Sequence, residues 1–264
     1  MSKLSASALS CFLKSPKLYY WQYIKRLTPI MPSMTTFDHD KLCGVLWAEF
    51  VERFYKGVED QPNTDAMLAD WADQTHGWVS DNASSKMVSA MTAWAGLYYQ
   101  LFNAEDGVRT ASEKFVENDR FIGYLDGINS EGVIHEVKST SRSKQISEQL
   151  WKVQDSIQVK LYCVLAKATG VRIEFAFKDP PFGIFRSEIK EISQDKITKW
   201  EQELNALADH IYSLGDDENN YACHPDGCCI LTKNFCSICP FQILCTDGLT
   251  EITGIGYKNR EHRK

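Results

Sequence analysis

The chain of 264 residues lacks several features that would assign it to a broad class at once. It has no apolar run approaching the roughly 20 residues of a membrane span, and no signal-peptide core follows the first residues. It has no internal repeat and no Gly-x-x-x-x-Gly-Lys-Ser/Thr loop for binding nucleotide phosphates. We therefore expect a soluble, cytoplasmic protein, and a helicase working with it would be a separate protein.

The chain also lacks an excess of positive charge. Its formal net charge is −6, so it is not a polycation that coats nucleic acid along its whole surface. Any contact with DNA must then be local. The basic residues that could supply it form three groups: Lys14, Lys17, Lys25 and Arg26; Lys138, Arg142 and Lys144; and the basic segment 258–264.

Two neighbouring segments carry the clearest chemical pattern. Residues 121–128 and 133–138 are rich in strand formers, and the polar segment 129–132 between them ends in glycine. Residues two apart on a strand face the same side, so Glu136 and Lys138 share a face. Asp126 on the partner strand can lie opposite them. The pattern predicts two carboxylates and an ammonium group at one place.

Such a group of side chains has a chemical use. Two carboxylates suit a hard cation such as Mg²⁺ or Mn²⁺, which can activate water for attack on a phosphodiester. A lysine beside the metal can orient or deprotonate that water and stabilise developing negative charge. The alternative is an ordinary hairpin with a surface Glu–Lys pair.

A third motif lies on the segment Ile146 to Thr169, which we predict as one helix closed by Gly170. Gln158 and Tyr162 are one helical turn apart and share a face. The order Gly123-x-x-Asp126, Glu136-x-Lys138, Gln158-x-x-x-Tyr162 resembles the RecB-like branch of the PD-(D/E)XK nuclease superfamily.

This resemblance implies a metal-dependent DNA exonuclease active in recombination, repair or the processing of phage and mobile-element DNA. It implies that Asp126, Glu136 and the backbone carbonyl of Val137 bind Mg²⁺ or Mn²⁺. Lys138 would orient the attacking water, and Gln158 and Tyr162 would position the site or the DNA. The implied substrate is single-stranded DNA or duplex ends, with a homo-oligomer or a separate helicase or recombinase as further partners.

One position departs from the family pattern. A Gly-x-x-His motif opens an early helix in these nucleases, and here Trp47 stands at the histidine position after Gly44. Glu49, Glu52 or His39 could replace this ligand, or the metal site could be weakened or lost. The competing hypothesis is therefore a non-catalytic DNA-binding or assembly protein on a decayed nuclease scaffold.

Nine cysteines in a reducing context do not favour a disulfide framework. Cys236, Cys239 and Cys245 are spaced to wrap a soft metal centre and need a fourth ligand. A zinc site could recruit that ligand from Cys223, His224, Cys228 or Cys229. The resemblance extends to iron–sulfur members of the branch, and it implies a [4Fe–4S] cluster held by these three cysteines and Cys11.

The predicted architecture is α/β, with a restriction-endonuclease-like mixed central sheet flanked by helices. We predict one nuclease domain over residues 1–264. Residues 1–107 form a mainly helical part, 108–190 the catalytic sheet and helix, and 191–264 a C-terminal helix and cysteine-rich iron–sulfur lobe. Predicted strands cover Val171 to Lys178 and Phe182 to Ile189, and predicted helices cover Lys86 to Phe102 and Ser193 to Leu214.

Overall fold

A computed structural model describes residues 2–29, 44, 47–51, 66, 69, 85–102, 109–140, 146–222 and 257–259. These residues divide into two compact units. The first contains residues 2–29, 119–122 and 202–222, together with 257–259. The second contains the remaining described residues, including every described residue of the predicted catalytic site.

The first unit begins with a short strand, β1 (Leu4–Ser5), and two helices, α1 (Ala6–Lys14) and α2 (Pro16–Tyr19). A π-helical turn over Tyr20–Ile24 follows, then β2 (Leu27–Pro29), which pairs antiparallel with the last strand (Tyr257–Asn259). The Ser5 hydroxyl accepts a hydrogen bond from the amide of Ala8 and thereby caps α1. A short strand therefore precedes the two helices of this segment.

The second unit is built around a mixed sheet. Its strands are β3 (Arg109–Glu117), β4 (Phe121–Asn129), β5 (Val133–Thr140), β6 (Gly170–Phe177), β7 (Gly183–Arg186) and β8 (Lys190–Glu191). β4 pairs with β3, and it pairs antiparallel with β5. The first two residues of β4 lie in the first unit, where they pair with β1. β5 and β6 are parallel, whereas β7 and β8 both pair antiparallel with β6.

The turn between β4 and β5 fixes their register. The side-chain oxygen of Asn129 accepts hydrogen bonds from the amides of Glu131 and Val133. Gly132 adopts a φ of 82°, which glycine reaches without steric cost. The resulting antiparallel pairing aligns Gly127 with His135.

Helices pack on this sheet. Helix α3 (Ser85–Phe102) contacts β7, and its Trp94 donates a hydrogen bond from the indole nitrogen to the carbonyl of Phe177 at 2.9 Å. Residues 47–51 are also helical. Trp47 and Phe50 of that segment stack on each other, and Trp47 meets Trp94 edge-on. These buried rings form an aromatic core in the second unit.

The connection from β5 to β6 corrects one prediction. In place of one helix from Ile146 to Thr169, the chain forms α4 (Ile146–Gln154) and α5 (Ile157–Ala166). The break occurs because the Ser156 hydroxyl caps α5 by accepting from the amide of Val159, an alternative to continued helix that serine favours. Lys167, at φ 51°, ends α5, so Gly170 is the first residue of β6 and not a helix cap.

Helix α6 (Gln194–Ser213) follows the sheet in the segment predicted as helical, and the hydroxyl of Ser193 caps it by accepting from the amide of Lys196. The first eight residues of α6 belong to the second unit and the rest to the first. The mixed α/β fold is thus confirmed, whereas the cysteine-rich lobe lies outside the described residues. None of the helices within the described ranges has the length and apolarity that a membrane span requires.

Candidate active site

The site forms where β4 and β5 meet. Asp126 lies on β4, and its Oδ2 accepts a hydrogen bond from the backbone amide of Val137 at 2.8 Å. The carboxylate thus takes an acceptor position that a backbone carbonyl would hold in a regular antiparallel ladder. This contact places the charge of Asp126 beside the two residues that flank Val137 on β5.

Those two residues are Glu136 and Lys138. Glu136 is fully buried, and its Oε1 forms an ion pair with the Lys138 ammonium group. Its Oε2 is also buried, and among the described residues no donor forms a hydrogen bond with it. A buried carboxylate oxygen without a partner is costly, so the structure holds Glu136 in a position that favours a further cation.

Burial, and after it the negative charge of Asp126, raise the pKa of Glu136 to about 7. The positive charge and hydrogen bond of Lys138 oppose this effect. Two carboxylates that share a desolvated site disfavour each other's ionised form. Glu136 can release its proton fully when a cation neutralises the charge.

The pKa of Lys138 is also raised, but the cause is the charge of its neighbours and not burial. Burial lowers its pKa, but the carboxylates of Glu136 and Asp126 outweigh that effect and hold the pKa above its usual value. Lys138 is therefore an ammonium group, and its Nζ donates a hydrogen bond to Gln158 Oε1 at 3.2 Å. Of the two roles considered for this lysine, orienting water fits the charged group better than deprotonating it.

Gln158 and Tyr162 lie on α5, one helical turn apart. The side-chain amide of Gln158 donates to the Tyr162 hydroxyl at 3.4 Å while its oxygen accepts from Lys138. Burial and the charge of Glu136 raise the pKa of Tyr162, so it is a neutral phenol. The structure thus brings all five predicted catalytic side chains together, and it places Val137 between two of them.

Gly123 explains how Tyr162 reaches this position. A Cβ atom on Gly123 would lie 2.6 Å from Cε1 of the Tyr162 ring, closer than real Cβ contacts allow. Only glycine permits this approach of α5 to β4. The glycine of the Gly-x-x-Asp motif is therefore a packing requirement of the site.

The donor set fits a hard divalent cation. Asp126 and Glu136 supply carboxylate oxygens, and one oxygen of Glu136 has no hydrogen-bond donor among the described residues. No group of three or more His, Cys, Asp and Glu side chains arranged for a metal occurs within the described ranges. Mg²⁺ is commonly bound by one or two carboxylates and keeps several waters, so two carboxylates suffice for it.

Trp47 is a core residue in this structure. It is only 1% exposed and packs between Phe50 and Trp94. Glu49, one of the proposed replacement ligands, is half-buried. The other two, Glu52 and His39, lie outside the described residues.

Two polar groups near the site were not predicted. The Thr140 hydroxyl, at the end of β5, donates to Gln149 Oε1 on α4 and ties these elements together. In addition, the fully buried Glu174 on β6 contacts Arg186 at 3.0 Å and His135 at 3.5 Å. A glutamate within the apolar strand 170–177 was the only sequence signal for this buried ion pair.

The predicted cluster ligands are only partly within the described residues. Cys11 is buried in α1, and its thiol donates to Gln22 Oε1 at 3.7 Å. Cys236, Cys239 and Cys245 lie outside the described residues, as do Cys223, His224, Cys228 and Cys229. The choice between iron–sulfur and zinc stays a prediction.

Comparison with known proteins agrees with the geometry. A sequence model of the PD-(D/E)XK nuclease superfamily matches residues 3–246. Among solved structures, a putative exonuclease from Eubacterium rectale is similar with a TM-score of 0.50 at 9% identity, covering 81% of this chain and 82% of its own. A phage-related exonuclease from Haemophilus somnus 129PT has a TM-score of 0.39 at 13% identity, covering 81% and 95%. No curated protein sequence matches the chain.

Proposed function

Since this chain belongs to the PD-(D/E)XK nuclease superfamily, we propose that it is a Mg²⁺- or Mn²⁺-dependent DNA exonuclease. Its substrate would be single-stranded DNA or duplex ends. Its role would lie in recombination, repair or the processing of phage or mobile-element DNA. The name of the similar structure from Eubacterium rectale agrees with exonuclease activity.

Each residue of the site has a role in this proposal. Asp126, Glu136 and the carbonyl of Val137 would hold the metal. When bound, the cation would lower the pKa of a water and neutralise charge on the phosphodiester. Lys138, kept protonated by its two carboxylate neighbours, would donate a hydrogen bond that orients the water. Gln158 would fix Lys138 in place and is itself anchored by Tyr162.

The buried Glu136 is the observation that carries the proposal. This carboxylate is fully buried and shares its site with Asp126. Its Oε2 has no hydrogen-bond donor among the described residues. Such a group destabilises a protein that needs it only for packing. Lys138 offsets part of this cost. A divalent cation would offset the rest and give the arrangement a function.

The test is cleavage of end-labelled single-stranded and duplex DNA with Mg²⁺ or Mn²⁺ and with EDTA. We expect the wild-type protein to cut only with metal, and Glu136→Gln to lose at least about 100-fold in rate. Glu131→Gln, which changes an exposed turn carboxylate, is the matched control and should cut like the wild type. Metal-independent cutting, or equal rates in Glu136→Gln, would contradict the proposal.

The alternative proposal is a non-catalytic DNA-binding scaffold. Its support is the replacement of the family histidine by Trp47, which packs into the aromatic core. DNA binding without cleavage under every metal tested would favour it. A Trp47→His variant that gained metal-dependent cleavage would then identify the missing ligand.

The second metal centre is a separate proposal. Cys11 together with Cys236, Cys239 and Cys245 would hold a [4Fe–4S] cluster, with structural Zn²⁺ as the alternative. The support is the cysteine spacing and the family resemblance of the Cys11 segment. Metal binding of this kind would tie sequence-distant parts of the chain together and contribute to folding stability.

A further inference from the structure

Two exposed aromatic rings lie together on the sheet of the second unit. Phe115 of β3 and Tyr124 of β4 are 46% and 60% exposed. Their ring centroids are 5.2 Å apart with planes inclined at 52°. Most of β4 is buried, so Tyr124 stands out within its own strand. The two rings form what we call the aromatic pair.

The position of the aromatic pair relates it to the catalytic site. Tyr124 precedes Asp126 by two residues on β4, so the two residues lie about 6.6 Å apart along the strand. Lys138, on the adjacent strand, is 35% exposed, which leaves the site open to solvent. This distance along the strand between Tyr124 and Asp126 is about the size of one nucleotide step. A base next to the reacting phosphate could therefore reach the two rings.

The chemistry of the aromatic pair indicates which kind of group it would bind. A single exposed apolar side chain is common on protein surfaces, but two adjoining exposed rings offer a surface on which flat aromatic groups can pack. Aromatic side chains in single-strand-binding proteins stack on successive bases with little sequence preference. The net charge of −6 gives no general attraction for phosphates, so local stacking would have to contribute much of the affinity.

We propose that Phe115 and Tyr124 are a base-stacking platform that selects single-stranded DNA by binding an unpaired base beside the phosphate to be cut. This rests on the proposed nuclease function and narrows its substrate class. Bases within a duplex are already stacked on their neighbours, so they would have no face to offer. The platform therefore favours single strands and frayed ends over intact duplex.

Binding measurements separate the platform from catalysis. In EDTA, the affinity for a fluorescently labelled single-stranded oligonucleotide is measured for the wild type, Tyr124→Leu, Phe115→Leu and Tyr124→Phe. We expect each leucine variant to bind roughly tenfold more weakly, since it loses stacking on one base. Tyr124→Phe keeps the ring and should bind like the wild type. Trp151→Ala, which removes a 64% exposed ring from α4, should also bind like the wild type.

An abasic oligonucleotide gives the second arm. Removing bases one at a time near the labelled end should weaken wild-type binding at one position, and the loss should disappear in Tyr124→Leu if base and ring act as a pair. The proposal would be overturned if the leucine variants lost as much affinity for blunt duplex as for single strands, or if they lost no affinity for single strands. A wild-type dimer that dissociates in Tyr124→Leu without any change in DNA affinity would also overturn it.

The outcomes distinguish this inference from the proposed function. If the leucine variants lose single-strand affinity but the wild-type protein cuts no DNA with any metal, the catalytic assignment is wrong and the platform stands. If the wild type cuts DNA and Tyr124→Leu has an unchanged KM for single strands, the platform is wrong and the catalytic assignment stands. The melting temperatures of these variants should equal that of the wild type, which checks that the exposed substitutions leave the fold intact.

Discussion

The carboxylate of Asp126 accepts a hydrogen bond from the backbone amide of Val137 at 2.8 Å, so one side chain both joins two strands and carries charge into the site. These roles can be separated. Asp126→Asn keeps an oxygen acceptor for the amide and loses the charge, whereas Asp126→Ala loses both. The proposed metal site needs the charge, and the strand contact needs only the acceptor.

We therefore expect both Asp126 variants to lose DNA cleavage by at least about 100-fold. Only Asp126→Ala should also lose stability, by about 1–3 kcal/mol, because a backbone amide is left without its acceptor. Urea unfolding beside a cleavage assay measures both quantities. A stable Asp126→Ala protein would show that water replaces the carboxylate at no cost.

The raised pKa of Glu136 gives a pH dependence. The folded state holds this proton up to about pH 7, whereas an unfolded glutamate releases it near 4.5. Between these values the folded state binds more protons, so the metal-free protein should lose stability as pH rises, by a total on the order of 3 kcal/mol. Glu136→Gln has no such proton and should not show this part of the pH dependence.

The comparison of the two proteins in EDTA from pH 5 to pH 8 isolates this effect, since all other titratable groups are common to both. Above pH 7 we expect Glu136→Gln to be the more stable protein. Adding Mg²⁺ or Mn²⁺ should raise the melting temperature of the wild type and leave that of Glu136→Gln nearly unchanged. A parallel pH response in both proteins would show that Glu136 ionises normally.

Lys138 is expected to be essential for cleavage and also to matter for stability. Lys138→Met removes the cation that pairs with the buried Glu136, so we expect loss of cleavage and destabilisation by several kcal/mol at pH 8. The double variant Glu136→Gln/Lys138→Met removes both charges and should recover much of that stability while remaining inactive. Independent, additive losses of stability would contradict the ion pair.

The site could be predicted from sequence because each motif is local. Strand alternation places Glu136 and Lys138 on one face, and helical periodicity places Gln158 and Tyr162 on one face, whatever the rest of the chain does. The turn at Asn129 and Gly132 then sets the register between β4 and β5. These short-range rules bring the three strand residues together and pair the two helix residues, whereas the docking of α5 on the sheet depends on the contact between Gly123 and Tyr162.

Other features depend on tertiary contacts and were missed. Both α4 and α5 are good helical sequences, and the break at Ser156 depends on a single hydroxyl that can either face solvent or cap a helix. The ion pair between Glu174 and Arg186 joins different strands, and no spacing rule relates them. Trp47 showed a departure from the family pattern, but only its packing against Trp94 identified it as a core residue.

The cysteine assignments can be tested chemically. We expect Cys239→Ala purified without oxygen to lose its iron and to melt at a lower temperature, since metal binding contributes to folding. Cys163→Ala is the matched control, because this buried thiol lies in α5 and its burial raises the pKa to about 12, which disfavours the thiolate that binds metal. Stoichiometric zinc without iron in the wild type would establish the zinc alternative, and unchanged metal content in Cys239→Ala would show the ligand set to be wrong.

The contact between Gly123 and Tyr162 predicts a site that is sensitive to one methyl group. In Gly123→Ala the new Cβ would lie 2.6 Å from the Tyr162 ring, so the ring or the strand must move. We expect a loss of about 1–3 kcal/mol in stability from this overpacking, together with slower cleavage, because the ring anchors Gln158 and thereby Lys138.

Gly96→Ala is the matched control: nothing lies within 4 Å of its Cβ position in α3, so the helix should gain about 0.5–1 kcal/mol. Adding Tyr162→Leu to Gly123→Ala should recover stability but not activity, which would separate the clash from the role of the phenol. If Gly123→Ala were as stable and active as the wild type, the close approach of α5 to β4 would not be a requirement of the site.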